Sequence, residues 1–455
     1  MTPKIILTVL LPFISSLLFA QLRFESLSFS EALVKAKKEN KLIFLQIESK
    51  DCMQCNEVAS LGLTDKTIKL LVDEKFIPVR YKKMPDEIYN NSSLYSLSNS
   101  FFGILFLDKN GDILNVINFS SSASDKYLDA ITKTIEENKL AKTPLSQLKE
   151  NYYNTPNNFD AVYTLIEKIR NLKLEPKQSL LNELTELAPK DSALSSSFSR
   201  FIIDCASEVQ SPSQYYIYKN MELFNTTWYA IPLNDRLSIN SRIVYKSLQK
   251  AIADKNFSYA YQVANFRRGT YSNGDQTAER EYQKVMLDYY HGVNDTAAYL
   301  RNVKLYYDNY FMKMSVDSII QSDSVRRAKL DATALSNAKK GKDLASRSFS
   351  FTTSTQYYAN LLNQGAWTTY TYTNNPIYIN AALTWSKRAI EFYQTPESID
   401  TYARLLYKTN NKKEAINWES KAVELAKNEK RDNTAATFEG ILQKMKSGLV
   451  RVDEY

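Results

Sequence analysis

Two cysteines three positions apart, Cys52 and Cys55, are the residues of this sequence best placed to carry out chemistry. They stand in the segment "ESKDCMQCNEV", in a chain of 455 residues that holds one further cysteine. A CxxC pair can exchange disulfides, supply half of a metal site, or form a structural disulfide. The rest of the sequence has to decide among these three roles.

The small numbers of cysteine and histidine limit the alternatives. With three cysteines and a single histidine, His291, neither a four-cysteine zinc site nor a histidine-rich one can form. A hydrolase would need His291 as its base, but this residue lies in "DYYHGVND", where Gly292 and Asn294 indicate a helix end. We expect His291 to contact the last carbonyl groups of that helix, and we recognise no nucleophile motif of a hydrolase. The sequence implies no metal and no organic cofactor.

The elements that position the cysteines follow from hydrophobic patterning. Ser28 and Glu31 have the spacing of a capping box and predict a helix through "EALVKAKKEN". The apolar run "KLIFLQI" predicts a strand covered on both faces, and CxxC follows it directly. The remaining pattern predicts helices over "NEVASLGL", "DKTIKLLVDE" and "SDKYLDAITKTIEENK", a strand over "KFIPVRY" and a hairpin over "GILFLDKNGDILNVINF". This order predicts an α/β sheet with covered faces.

The arrangement resembles the thioredoxin family, in particular exported thioredoxin-like proteins. The matching stretches are "EALVKAKKENKLIF" (31–44), the CxxC motif and "LFLDKNGD" (105–112), and the resemblance covers about residues 25–140. It implies a thioredoxin fold and a thiol–disulfide oxidoreductase that acts on protein disulfides. The partner is then a protein substrate, engaged by thiol–disulfide exchange.

The position of the motif explains why this chemistry belongs there. A cysteine in the first turn of a helix faces unpaired backbone N–H groups and the positive end of the helix dipole, which favour thiolate over thiol. Cysteines in such positions have pKa values lowered to roughly 3.5 to 7.5. We therefore expect Cys52 to be the attacking thiolate. Cys55, one turn along the same face and less exposed, is expected to be the resolving thiol.

Two residues near the motif differ from the family pattern. Asp51 stands where the family usually has tryptophan, and its negative charge opposes a thiolate at Cys52, although Lys50 partly compensates. Gln46 occupies the place of the buried acidic residue that helps proton transfer in the family.

The family's cis-proline is also missing. No proline occurs between Pro85 and Pro144, and the equivalent position falls within Phe101 to Gly103, so we expect this loop to adopt another shape. These differences keep a second hypothesis open. It describes a catalytically degenerate thioredoxin fold, used as a binding or scaffold protein, in which Cys52 and Cys55 form a structural disulfide.

The chain begins like an exported protein. Lys4 precedes an apolar run, and Ala20 stands just before Gln21, which is the layout of a signal peptide over residues 1–20, cleaved after Ala20. No other stretch has the roughly 18 uninterrupted apolar residues of a membrane helix, so we expect a periplasmic or secreted protein without a transmembrane segment after signal removal. The net charge of +8 comes from basic residues interleaved with acids, which predicts no nucleic-acid binding.

The length predicts several domains, since one core cannot organise so many residues. We expect a thioredoxin-like domain over 21–140, a linker over 141–160, an α-helical region over 161–350 and tetratricopeptide-like helical repeats over 351–455. The third cysteine, Cys205, lies among apolar residues in "FSRFIIDCASEV". It is expected to be a buried thiol that packs as a small hydrophobic residue.

An internal repeat marks the C-terminal region. The segments "AALTWSKRAIEF" (381–392) and "EAINWESKAVEL" (414–425) superpose with a shift of 33 residues, which matches two alanines and a tryptophan in each. This pattern resembles tetratricopeptide repeats, in which small alanines let paired helices approach. The stretch "WTTYTYT" (367–373) alternates like a strand, but its place in the repeat predicts a helix. A stacked helical array has a concave face suited to binding another chain. An equally supported hypothesis is that the array only packs against the thioredoxin-like domain, or that its Tyr and Trp residues all belong to the core.

Overall fold

The computed structural model describes most of the chain, namely residues 22–50, 52–90, 92–97, 101–140, 142–189, 195–271, 276–339 and 353–449. The predicted signal peptide and Asp51 lie outside the described residues. The described chain divides into two compact units. The first runs to Pro156 and adds Glu167–Glu175, and the second comprises Asn157–Ile166 and the residues from Pro176 onward.

The first unit alternates helices with the strands of one sheet. Its elements are α1 (Phe29–Glu39), β1 (Leu42–Ile47), α2 (Met53–Gly62), α3 (Lys66–Lys75), β2 (Phe76–Tyr81), α4 (Asp86–Asn90), β3 (Tyr95–Ser96), β4 (Gly103–Leu107), β5 (Ile113–Ile117), α5 (Ser124–Lys139) and α6 (Leu145–Asn154). The four-stranded sheet has the order β2-β1-β4-β5. Strand β1 is parallel to β2 and antiparallel to β4, which is antiparallel to β5. The predicted α/β class is confirmed.

Local signals in the sequence set the first elements. The Ser28 hydroxyl accepts the N–H of Glu31, and the Glu31 carboxylate accepts the N–H of Ser28 at 2.7 Å, so the predicted capping box begins α1. Every residue of β1 is buried, as expected for a central strand covered on both faces. Phe44, Phe76 and Phe106, one from each of β1, β2 and β4, meet edge to face with ring centroids between 5.4 and 6.3 Å apart. Their packing holds these three strands in one sheet.

The predicted hairpin joins β4 to β5. Asp108 Oδ1 accepts the N–H groups of Asn110 at 2.8 Å and of Asp112 at 2.9 Å, and Gly111 has a φ of +95° that suits glycine. The hairpin thus brings β5 back along the sheet beside β4, which itself pairs with β1.

Beyond α6 the described chain is helical except for one two-residue strand. Its elements are α7 (Phe159–Asn171), β6 (Glu175–Pro176), α8 (Gln178–Leu187), α9 (Ser196–Asp204), α10 (Pro212–Tyr218), α11 (Met221–Ala230), α12 (Leu233–Ala253), α13 (Phe257–Gly269), α14 (Gln276–Gly292), α15 (Thr296–Tyr310), α16 (Val316–Lys339), α17 (Ser354–Tyr372), α18 (Pro376–Phe392), α19 (Pro396–Lys408), α20 (Lys412–Asn428) and α21 (Asp432–Ser447). Helix α6 and the division after Pro156 both fall in the segment 141–160 that the sequence suggests as a linker. None of the described helices is long and apolar enough to cross a membrane.

The two repeated segments form α18 and α20. Each packs against the helices before and after it in the chain. The four matched alanines are completely buried, as expected where helices approach closely: Ala382, Ala389, Ala415 and Ala422. The matched tryptophans differ, because Trp385 is buried and donates to Asp308 at 2.9 Å, whereas Trp418 is half-buried and packs edge to face on Tyr402.

The stretch "WTTYTYT" is helical up to Tyr372, within α17, so the predicted helix is confirmed. Packing overrides its strand-like composition. Thr369 and Tyr370 are buried, and Gly365, two residues before the stretch, lies so close to Tyr307 of α15 that an added Cβ would collide with that ring. A helix of this sequence buries these residues against its neighbours. The free energy gained by this burial exceeds the cost of placing residues of low helix propensity in a helix.

Candidate functional site

Cys52 caps the helix that follows the central strand. It is the N-cap residue of α2, and its Sγ accepts the N–H of Cys55 at 3.1 Å. The Cys52 carbonyl oxygen also accepts the N–H groups of Cys55 at 3.1 Å and Asn56 at 3.4 Å. Cys52 and Cys55 are joined in a disulfide, and both are half-buried. The predicted location of the pair at a helix start is confirmed, while the separate roles of the two sulfurs stay a prediction.

Asn56 fastens the loop that leads from β1 to Cys52. Its Oδ1 accepts the N–H of Ser49, and its Nδ2 donates to the Ser49 carbonyl oxygen, each at 2.8 Å. The amide thus pairs with both backbone groups of one residue, as a neighbouring strand would. Our sequence reasoning missed this role. A short polar side chain directly after CxxC is the signal that could have suggested it, since asparagine often bonds to nearby backbone.

Gly62 lets the far end of α2 approach α5. A Cβ at this position would collide with the Ser121 carbonyl oxygen and with the ring of Tyr127. Tyr127 is buried, and its hydroxyl accepts the N–H of Ser121 at 3.0 Å. Helix α2 is therefore held at its start by Asn56 and at its end by this close approach, which fixes the cysteines relative to the sheet.

Gln46 takes the position of the expected buried acid. It is 3% exposed, and its Oε1 accepts a hydrogen bond from Nε of Arg80 at 3.2 Å. The guanidinium of Arg80 also covers the ring of Phe24 at 3.9 Å and lies 3.6 Å from the Glu48 carboxylate. An amide held in this way cannot take up a proton, so the buried proton acceptor that the resemblance implies is replaced by a neutral side chain.

Gly103 begins β4 beside the end of β1, where the sequence lacks the family's proline. It pairs with Ile47, and its φ is +132°, a conformation that side chains rarely adopt. A Cβ here would collide with the Ile117 carbonyl oxygen. Among the described residues no peptide bond is cis. The preceding residues 98–100 lie outside the described chain, so the structure describes this loop only from Phe101 onward.

A comparison with known families bears on the fold of this unit. Residues 23–109 match the family model described as Thioredoxin-like. The match contains both cysteines, the strands β1, β2 and β4, and the first turn residues of the hairpin. No curated protein matches the chain. The chain therefore has an N-terminal thioredoxin-like α/β domain with a mixed sheet, followed by a long helical region.

The remaining chemical candidates of the sequence lie in the helical unit. Cys205 is completely buried, which confirms the prediction of a packed thiol. His291 lies in the last turn of α14, as predicted. The expected contact with the helix's own carbonyls was wrong, because its Nδ1 forms a hydrogen bond with the hydroxyl of Tyr372 at 2.7 Å. Within the described ranges, no three His, Cys, Asp or Glu side chains come together as metal ligands could.

The thioredoxin-like site can do one kind of chemistry with the residues described. The sulfur of Cys52 sits at the N-terminus of α2, where backbone N–H groups stabilise negative charge once the disulfide is reduced. Met53, between the cysteines, is 51% exposed. The site therefore has a disulfide next to an exposed apolar side chain.

Proposed function

We propose that this protein is an exported thiol–disulfide oxidoreductase that acts on protein disulfides. The observation that carries the proposal is the position of Cys52 as the cap of α2, with its sulfur accepting a backbone N–H of the first helical turn. This geometry stabilises the thiolate, which is both the nucleophile and the leaving group of disulfide exchange. The thioredoxin-like match over residues 23–109 supports the same activity.

The exchange needs only the two sulfurs. In the reduced protein, the Cys52 thiolate attacks one sulfur of a partner disulfide, which forms a mixed disulfide and releases the other partner sulfur as a thiolate. The Cys55 thiolate then attacks Cys52 Sγ, restores the Cys52–Cys55 disulfide and releases the second partner thiolate. Two electrons pass from the protein to its partner. The reverse sequence oxidises a partner dithiol, and the direction depends on the reduction potential of the Cys52–Cys55 pair relative to that of the partner.

The helical region is proposed to hold the partner. Helices α17 to α21 pack in sequence, with completely buried alanines at the repeat positions, which supports a tetratricopeptide-like array. Such an array presents a broad face to another chain. Export rests on the signal-peptide pattern of residues 1–20 and places the protein in a periplasm or outside the cell, where disulfide exchange has substrates.

The reduction potential of the Cys52–Cys55 pair tests the activity. The protein is equilibrated in glutathione buffers, and its free thiols are trapped with an alkylating reagent. We expect a potential between roughly -270 and -120 mV, the range of proteins that exchange disulfides. A potential below about -300 mV is typical of structural disulfides and would contradict the proposal.

Single cysteine variants then assign the roles, in a background carrying Cys205→Ala. With Cys55→Ser, the Cys52 thiolate should accumulate mixed disulfides with a disulfide-bonded test protein, because no resolving thiol is present. Cys52→Ser should accumulate few. Equal trapping by both variants would refute the assignment of Cys52 as the attacking residue.

A second candidate function is a binding scaffold with a structural disulfide. The observation in its favour is Gln46, which is buried and bonded to Arg80 where the family has an acid. In that case the first sulfur stays inaccessible to alkylation even after mild reduction. The same trapping experiment therefore separates the two functions.

A further inference from the structure

A cavity of about 430 Å³ lies within the helical unit, enclosed by α9, α10, α11, α12 and α13. This volume falls in the range of pockets that hold small molecules. Its walls are mainly aliphatic and aromatic, with Ile217, Phe224, Trp228, Ile239 and Phe266 among them. Tyr229 also lines the cavity and is 69% exposed, so the cavity reaches the protein surface.

One cation faces this apolar space. Arg236 of α12 lines the cavity, and its guanidinium carbon lies 6.0 Å from the ring centre of Trp228 and 5.2 Å from that of Tyr229. Its Nε is buried without a hydrogen-bond partner, and no carboxylate of the described chain lies within salt-bridge distance of its guanidinium. The cavity lining contains no Asp or Glu. A half-buried guanidinium in such surroundings lacks the counterion that partly buried charges ordinarily have.

A second side chain of the lining has a buried donor without an acceptor. Gln214 of α10 is 5% exposed, and its Oε1 accepts the N–H of Gln210 at 2.7 Å, which sets the direction of the amide. Its Nε2 is buried and has no acceptor among the described residues. A buried donor without an acceptor costs free energy, and an occupant that brings an acceptor recovers it.

We propose that this cavity binds a small organic carboxylate with an apolar body. The carboxylate pairs with the guanidinium of Arg236, since planar bidentate pairing is what arginine offers to such a group. The apolar body packs against Trp228, Phe224 and the isoleucines of the wall. Gln214 donates to a further acceptor of the ligand. This site belongs to the helical unit, and the proposal does not depend on the redox activity of the cysteines.

Calorimetric titration of the full chain with two probes of matched shape tests the charge requirement. Naphthylacetate carries the carboxylate, and naphthylethanol replaces it with a hydroxyl. We expect saturable binding of naphthylacetate at one site, about tenfold tighter than naphthylethanol, which corresponds to about 1.4 kcal/mol. Equal affinity for the two probes, or no binding of naphthylacetate, would overturn the proposal.

Two variants and a matched control locate the site. Arg236→Met keeps the apolar stem, removes the charge, and should abolish the preference for naphthylacetate. Arg301→Met makes the same change of net charge at an exposed position of α15 and should leave the preference intact. Gly269 lines the cavity, and an added Cβ there meets no heavy atom within 4 Å, so Gly269→Leu can narrow the cavity without a clash at Cβ and should weaken both probes. If Arg301→Met weakens naphthylacetate as much as Arg236→Met, bulk charge explains the binding and the site is refuted.

Discussion

Replacing Glu419 by glutamine should make the helical unit more stable than that of the wild type, and the difference should grow as the pH rises. Glu419 of α20 is completely buried, beside Asp400 and Arg404 of α19, which are also buried. Arg404 Nε donates to Asp400 Oδ1 at 2.7 Å, so this guanidinium already has a carboxylate partner. Neither carboxyl oxygen of Glu419 accepts a hydrogen bond from an N–H or hydroxyl group of the described residues. Its hydrogen bond with the carboxyl group of Asp400 requires that one of the two acids holds a proton. Burial, and then the charge of Asp400, raise the pKa of Glu419 to about 10.

The sign and size of the effect follow from proton linkage. The ordinary pKa of glutamate is 4.5, so between that value and about 10 the folded state holds a proton that the unfolded chain releases. The free energy of unfolding therefore falls as the pH rises, by about 1.4 kcal/mol per pH unit. From about pH 6 to about pH 8 this group removes about 2.7 kcal/mol. Glutamine has the same shape and no proton to release, so Glu419→Gln should lose this part of the pH dependence.

Urea unfolding followed by tryptophan fluorescence measures this difference. The four tryptophans all lie in the helical unit, so their signal reports on that unit alone. Glu419→Gln should be more stable than the wild type near pH 8, by more than it is near pH 6. Glu424→Gln, at an exposed position of the same helix, is the control and should show no such difference. The reasoning is refuted if Glu419→Gln is less stable than the wild type at both pH values, because the carboxylate would then be ionised and needed by Arg404.

Two substitutions test how the thioredoxin-like domain holds its site. Gly103→Ala should lower the free energy of unfolding of this domain by about 2 kcal/mol or more, because of the positive φ and the collision with Ile117. Urea unfolding is followed here by far-UV circular dichroism, since this domain contains no tryptophan. Gly440→Ala, in α21 with open space around it, should be neutral or stabilising in the same measurement. Asn56→Ala leaves both backbone groups of Ser49 without this partner. We expect the free energy of unfolding to fall by about 1 to 3 kcal/mol and dithiothreitol to reduce the disulfide faster. Asn56→Asp keeps the acceptor for the Ser49 N–H, so both changes should be smaller in this variant. Unchanged reduction by Asn56→Ala would show that the loop does not restrain the cysteines.

The elements of the first unit were predictable because their causes are local. The capping box of Ser28 and Glu31 marks one helix start, and a run of buried residues marks β1. The hairpin turn depends on Asp108 and the residues just after it. In the helical unit, the position of α17 within the repeat predicted a helix, although its local composition favours a strand. Each repeat packs against its neighbours along the chain, so the position in the repeat carries information that the local composition lacks.

Contacts between distant residues could not be predicted in the same way. His291 bonds to Tyr372, 81 residues away, so the sequence around the histidine could indicate its helix end but not its partner. Glu419 stands between Trp418 and Ser420 in "NWESKAVEL", a stretch that does not reveal its partners, and the folded chain buries it against Asp400 and Arg404. The cavity of Arg236 forms only when five helices pack together. In each case the partner that determines the role lies on another helix.

In the candidate redox site, one feature depends on neighbouring residues and could be predicted, and another depends on residues distant in the sequence and could not. The hydrogen bond from the Cys55 N–H to Cys52 Sγ spans three residues, so a helix start predicted at Cys52 already places these two groups near each other. In the proposed exchange, the place where the resemblance implies a buried acid is taken by Gln46, which bonds to Arg80, 34 residues away, and cannot accept a proton. A thiolate stabilised without a buried base must pass its protons to solvent, which affects the rate of exchange more than its equilibrium. The reduction potential therefore tests the sulfur geometry itself, whereas a slow turnover would reflect the loss of the acid.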